Sequence, residues 1–159
     1  MEIERKFLVK YLPENLDTCK KSEIIQGYIS THPVIRIRRS NERYILTIKS
    51  DGLMEREEFE MPLTEEQFVN LSKKVEGNII SKTRYKIPDG SLTIELDIFH
   101  EKFDGLFYAE VEFPDKETAE AYTPPAFFGR EVTNEGIYHN SSLTTMSDKE
   151  IKDFLASCI

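Results

Sequence analysis

The sequence predicts a mainly β fold of the α+β kind, with eight antiparallel strands closed into a tunnel or barrel and a few peripheral helices. Three observations predict it. Short extended runs recur between turn-forming residues through most of the chain. Charges repeat at i,i+2, the spacing that places them on one face of a strand. An antiparallel sheet of this size removes its exposed edges by closing on itself.

The first strand spans Met1 to Lys10, with Glu2, Glu4 and Lys6 on one parity and Ile3, Phe7 and Val9 on the other. Residues 11–21, with Pro13, form a connection. Four extended runs follow: Ser22–Ser30, Val34–Arg39 after His32-Pro33, Arg43–Ser50 after Asn41-Glu42, and Leu53–Met61 after the hairpin dipeptide Asp51-Gly52. A helix is expected from Thr64 to Val75. Thr64 and Gln67 make a capping box, Phe68, Leu71 and Val75 an apolar stripe, and Gly77 the stop. Three more strands are Asn78–Ile87, Leu92–Phe99 after Asp89-Gly90, and Leu106–Phe113 after Asp104-Gly105. Asp115–Tyr122 reads as a short helix stopped by Pro124-Pro125, and Phe127–Ser142 as irregular. Ser147–Cys158 reads as a helix with a second capping box, Ser147 and Glu150.

With 159 residues and no linker or repeat, residues 1–159 read as a single domain. A net charge of −8 argues against a binder of nucleic acid duplexes or acidic membranes, though a local basic cluster can still hold a polyanion. No apolar run reaches the roughly 18 residues of a membrane span. No signal-peptide pattern is present, and Cys19 and Cys158 lack metal spacing, so a cytoplasmic protein with free thiols is expected.

The polar parity of nearly every strand is charged. Acidic pairs occur at Glu2/Glu4, Glu58/Glu60, Glu95/Asp97 and Glu110/Glu112, and basic pairs at Arg36/Arg38 and Lys82/Arg84, with Lys49 and Arg56 as single cations. A solvated face accounts for any one pair. Like charges adjacent on a strand face repel, however, so the whole set is better explained by counter-charges between the strands. The apolar parity, including Ile35, Ile37, Tyr44, Phe59, Ile94, Leu96 and Val111, then packs outward. Carboxylates suit a hard divalent cation, and arginine and lysine suit phosphate oxygens. Together they suit a metal-bound polyphosphate attacked by water, which needs no nucleophilic side chain. His32, His100 and His139 lack zinc spacing and are given no catalytic role.

These residues resemble a known family. Glu2-x-Glu4-x-Lys6 is similar to the ExExK signature of the CYTH domain, the triphosphate tunnel metalloenzymes. Arg36-x-Arg38, Lys49, Arg56-x-Glu58-x-Glu60, Lys82-x-Arg84, Glu95-x-Asp97 and Glu110-x-Glu112 follow in the family's order, and 129–140 resembles its C-terminal segment. The resemblance implies Mg²⁺- or Mn²⁺-dependent chemistry on triphosphates. By position it implies metal ligands Glu2, Glu4 and Glu112, with Glu110 and Glu60 assisting. It places Lys6, Arg36, Arg38, Lys49, Lys82 and Arg84 on the phosphates, with Arg56 and Tyr28 as further substrate contacts, Tyr28 equally able merely to pack. Glu4, Lys6, Arg38, Lys49 and Arg84 are the expected catalytic set. Glu55 and Glu57 lie on the opposite parity from Arg56, Glu58 and Glu60, so a one-residue bulge would exchange the inward set.

The function expected is hydrolysis of the terminal phosphate of inorganic triphosphate, extending to nucleoside triphosphates. The alternatives are a class IV-type adenylyl cyclase, a thiamine triphosphatase, and a non-catalytic polyphosphate-binding module. The partner is a small-molecule triphosphate, with a monomer or homodimer as the assembly.

Overall fold

A computed structural model describes residues 2–158; Met1, at the start of the first expected strand, and Ile159 lie outside them. Ten strands form: β1 Glu2–Val9, β2 Lys20–Thr31, β3 Val34–Ser40, β4 Arg43–Lys49, β5 Glu55–Arg56, β6 Glu58–Leu63, β7 Glu76–Asp89, β8 Leu92–Phe99, β9 Phe107–Glu112 and β10 Phe128–Glu131. Four helices accompany them: α1 Glu65–Ser72, α2 Lys116–Ala121, α3 Asn140–Leu143 and α4 Asp148–Ser157.

The strands are antiparallel in the order β10-β1-β9-β8-β7-β2-β3-β4-β6. The sheet returns on itself because the chain from Glu55 to Leu63 divides its pairing. β6 pairs with β4, and β5 pairs with β1 through Glu2↔Arg56 and Ile3↔Glu55. The single expected strand at 53–61 is therefore two, broken at Glu57, because one half must reach β4 and the other β1. The tenth strand, β10, lies where irregular chain was expected; four residues beside β1 are too few for alternation to show.

Local chemistry sets the element ends. Both expected capping boxes form, Thr64 with Gln67 and Ser147 with Glu150. Helix α1 ends at Ser72, earlier than its stripe suggests. Gly77, expected to stop it, lies inside β7, where its φ of 76° favours glycine and a Cβ would also sit 2.0 Å from the carbonyl oxygen of Thr144. The Asp51-Gly52 turn is not a tight hairpin. The loop runs from Ser50 to Glu57, closed by Ser50 N–H donating to the Glu57 carbonyl at 3.0 Å, and carries β5 within it.

Two apolar clusters flank the sheet. Outside, Phe7, Ile94, Leu96, Ala109 and Val111 pack with Phe113, Ala119, Phe127 and Phe128 beneath α2 and β10. Inside, on the parity that carries the charges, Leu8, Tyr28, Val34, Ile80, Phe99 and Tyr108 meet Tyr138, Leu143, Ile151 and Phe154. The C-terminal segment thus fills one end of the barrel. Phe59, expected to pack outward, is exposed, since α1 does not extend over it.

Candidate active site

A cavity of about 350 Å³ opens into the barrel between two walls of opposite charge. Along β7, β3 and β4 it is lined by Arg84, Lys86, Arg36, Arg38, Arg43 and Lys49. Along β8, β9, β1 and β6 it is lined by Glu95, Glu110, Glu112, Glu2, Glu4, Glu58 and Glu60. Lys6 and Arg56 stand among the carboxylates, and Ser22, Ile24 and Tyr28 of β2 separate the basic strands. Register produces this arrangement. Glu4 lies opposite Glu112, Lys6 opposite Glu110, and Glu110 opposite Glu95, so acidic pairs that repel along one strand repel across strands as well.

Many of the charges find partners. Lys49 Nζ lies 2.9 Å from Glu2 and 3.3 Å from Glu58. Arg56 lies 3.6 Å from both Glu2 and Glu4, and Lys6 lies 3.4 Å from Glu110. Lys6 Nζ also donates to the Tyr138 carbonyl at 3.0 Å. Burial works against ionising Glu110, but Lys6, Arg84 and Lys82 outweigh it and hold the carboxyl well below its usual range.

Three groups are not balanced. Burial pushes Glu4 up to about 8, with Glu110 and Glu2 adding repulsion. Burial pushes Arg38 down to about 9, with Arg36 and Arg84 adding theirs. Arg36 and Arg38 have no carboxylate at ion-pairing distance among the described residues. Arg38 donates to Gln26 Oε1 at 2.7 Å and Arg36 to Thr47 Oγ1 at 3.1 Å, while buried Arg36 Nε has no acceptor. A buried cation left so is costly unless an anion joins it.

Most of the expected site residues converge here: Glu2, Glu4, Lys6, Tyr28, Arg36, Arg38, Lys49, Arg56, Glu58, Glu60, Arg84, Glu110 and Glu112 all line the cavity. The inward set on β5 and β6 is Arg56, Glu58 and Glu60; Glu55 instead meets Lys116 outside, at 2.8 Å. Lys82 and Asp97 do not line it. Lys82 is wholly buried, 2.7 Å from Asp97 and 3.4 Å from Asn140 Oδ1. Burial lowers the Lys82 ammonium to about 7, with Asp97 opposing. Polar lining residues with no i,i+2 charge partner to mark them in sequence are Ser22, Ser40, Arg43, Asn140, Ser141 and His139, while Lys86 extends the basic run of Lys82 and Arg84 by one further i,i+2 step. His139 is held neutral, down to about 4, by burial and by Lys6 and Arg56.

The donor chemistry fits a divalent cation. Glu4 and Glu112 offer hard carboxylate oxygens whose ionisation is disfavoured by burial and by carboxylate neighbours, the condition a bound cation would relieve. Among the described residues no three ligands form a ready cluster. A small hard ion held by one or two carboxylates, water and phosphate oxygens does not require one.

Comparison with known proteins agrees with this geometry. The CYTH domain family model matches residues 1–145. An inorganic triphosphatase of Nitrosomonas europaea is 40% identical over 147 residues, covering 89% of this chain and 95% of its own length. An inorganic triphosphatase of Acetivibrio thermocellus is 34% identical over 158 residues, covering 96% and 98% respectively. A crystal structure of an inorganic triphosphatase superposes with a TM-score of 0.70 at 34% identity, covering 92% of this chain and 96% of its own. Strand order, tunnel charges and sequence all lead to one conclusion: the chain belongs to the CYTH domain family.

Proposed function

We propose that this chain is an inorganic triphosphatase that hydrolyses the terminal phosphate of tripolyphosphate with a divalent cation, Mg²⁺ or Mn²⁺. The observation that carries the reading is the pairing of unmet needs in one cavity. Arg36 and Arg38 lack anions, and burial and carboxylate neighbours disfavour ionising Glu4 and Glu112 despite Arg56 at 3.6 Å from Glu4. A metal-bound polyphosphate supplies both. The inorganic triphosphatases to which the chain is similar support the same substrate.

In this reading Arg36, Arg38, Arg84 and Lys49 hold the phosphate oxygens along the basic wall. Two arginines on one strand face offer planar forks to successive phosphates. Lys6, held between Glu110 and the Tyr138 carbonyl, sits at the boundary of the two walls. Glu2, Glu4 and Glu112 would hold the metal, assisted by Glu110 and Glu60. When bound, it neutralises phosphate charge and activates water. The water oxygen bonds to the terminal phosphorus, the bridging P–O bond breaks, and orthophosphate and pyrophosphate leave. Fixed cations facing the phosphates stabilise the charge that shifts to the leaving oxygen. Residues 1–159 act as one domain in this scheme. No helix among the described residues is long and apolar enough to cross a membrane, and a cytoplasmic location is part of the proposal.

The test is phosphate release from tripolyphosphate with Mg²⁺, with Mn²⁺ and with chelator. Metal-dependent release of one orthophosphate per pyrophosphate is expected. No release with either metal, with Glu4→Gln matching the parent, overturns the reading.

A further inference from the structure

Beside the exposed carboxylates Glu58, Glu60 and Glu112, the cavity lining carries two exposed cations that the hydrolytic scheme does not use. Arg43 and Lys86 both line the tunnel and are both exposed, and neither has a carboxylate at ion-pairing distance among the described residues. Each lies one pleat outward from a phosphate-facing arginine. Lys86 follows Arg84 at i+2 on β7, and Arg43 pairs with Ser40, which follows Arg38 at i+2 on β3. Lys86 lies directly opposite Lys20 of β2, a like-charged cross-strand pair, and opposite Glu95 of β8 on its other side.

The tunnel borders a second cavity of about 460 Å³, with which it shares the lining residues Val34, Arg56, His139 and Ser141. Its own wall is largely neutral, with Thr31, Ser50, Ser142 and Thr145, and it carries the acidic Asp51. In the second cavity Asp51 is offset by Arg56, whereas Arg43 and Lys86 have no carboxylate at ion-pairing distance among the described residues. The whole chain carries −8, so a polyanion meets net repulsion except where cations are concentrated.

We propose that Arg43 and Lys86, with Lys20 beside them, form the entrance that captures the polyanion, and that substrate reaches the tunnel there and not through the neighbouring cavity. This rests on the reading of the tunnel as a triphosphate site. Capture at an exposed rim is a long-range effect, screened over about 10 Å at 0.1 M salt. It acts on association and leaves the chemical step to the residues within.

The experiment compares the parent, R43Q/K86Q and D51K by turnover of tripolyphosphate with Mg²⁺, and by calorimetric binding of metal-free tripolyphosphate, each at low and high salt. In R43Q/K86Q, kcat/KM at low salt is expected to fall roughly tenfold, with kcat retained and the salt dependence flattened. Binding should weaken in parallel, and D51K should match the parent. Parent-like kcat/KM, binding and salt dependence in R43Q/K86Q overturn the inference. A rise in kcat/KM or binding in D51K overturns it as well. Absent turnover in the parent, with binding still weakened in R43Q/K86Q, overturns the hydrolase reading and leaves the entrance standing.

Discussion

Asp97 grips Arg84 with both carboxylate oxygens, Nε at 2.7 Å from Oδ1 and Nη2 at 2.9 Å from Oδ2, while Lys82 lies 2.7 Å from the same carboxylate. The pair sits in register between β7 and β8, and Asp97 is only 1% exposed. Asp97 therefore sets where Arg84 stands in the cavity without reaching it.

Removing that carboxylate leaves the buried Lys82 without an ion-pair partner among the described residues and Arg84 with only Glu95, at 3.4 Å. Asp97→Asn is expected to lower stability by about 3–5 kcal/mol, the cost of breaking a buried pair. Urea denaturation checks it, and a loss under about 1 kcal/mol would refute the arrangement.

The same group sets an acid limit. Burial would raise the Asp97 pKa, but Arg84 and Lys82 bring it down to about 2 from an ordinary 3.8. A depressed carboxyl stabilises the fold above its unfolded value and loses that contribution as pH falls through its folded value. Thermal unfolding should show a contribution on the order of 2 kcal/mol from Asp97 being lost as pH falls from about 4 through about 2. The slope in that window should be shallower in Asp97→Asn.

The two walls should fail differently. Arg38→Ala is expected to raise KM for tripolyphosphate about 10- to 100-fold, the loss of a charge-assisted contact. Glu4→Gln should lower metal-dependent kcat on the order of 100-fold. Steady-state kinetics at saturating metal separate them; small, equal effects from both would contradict the division.

Tyr108 offers a contrasting case. Its hydroxyl is buried without a partner, while its ring packs against Phe99 and Tyr138. Tyr108→Phe keeps the packing and removes the unmet group. It should leave stability unchanged or raise it by about 1 kcal/mol, measured by chemical denaturation.

Gly77 is the backbone counterpart. With φ 76° and the Thr144 carbonyl where a Cβ would stand, Gly77→Ala should cost more than about 2 kcal/mol. A parent-like midpoint in urea would show that β7 and the segment after α3 are not so closely joined.

Much of this was legible in the chain because an i,i+2 pattern reports which face a side chain occupies. It placed Glu2, Glu4, Lys6, Arg36, Arg38 and Lys49 on one inner surface. It cannot report depth along the barrel, so Lys82 and Asp97, on the same face as Arg84, read as tunnel charges although the C-terminal segment covers them. Nor does it report pairing partners, which is why the break at Glu57 was hidden. Arg43 carries no such mark because a lone charge has no period, and His139 lines the cavity although zinc spacing gives it no role; Lys86, by contrast, continues the Lys82 and Arg84 period by one step.

The Glu2↔Arg56 and Ile3↔Glu55 contacts acquire a further meaning in this light. Among the described residues these are the two register pairs between β1 and β5, with Arg56 also 3.6 Å from Glu4, whereas β2 and β7 pair over much of their length. A cylinder fastened on one side by so short a ladder behaves as a clasp, and the clasp is made of the proposed metal-binding strand. Amide hydrogens at Glu4 and around Met54–Arg56 should exchange with solvent well before those of the β2–β7 ladder. Whatever fills the charged interior then also locks the cylinder shut.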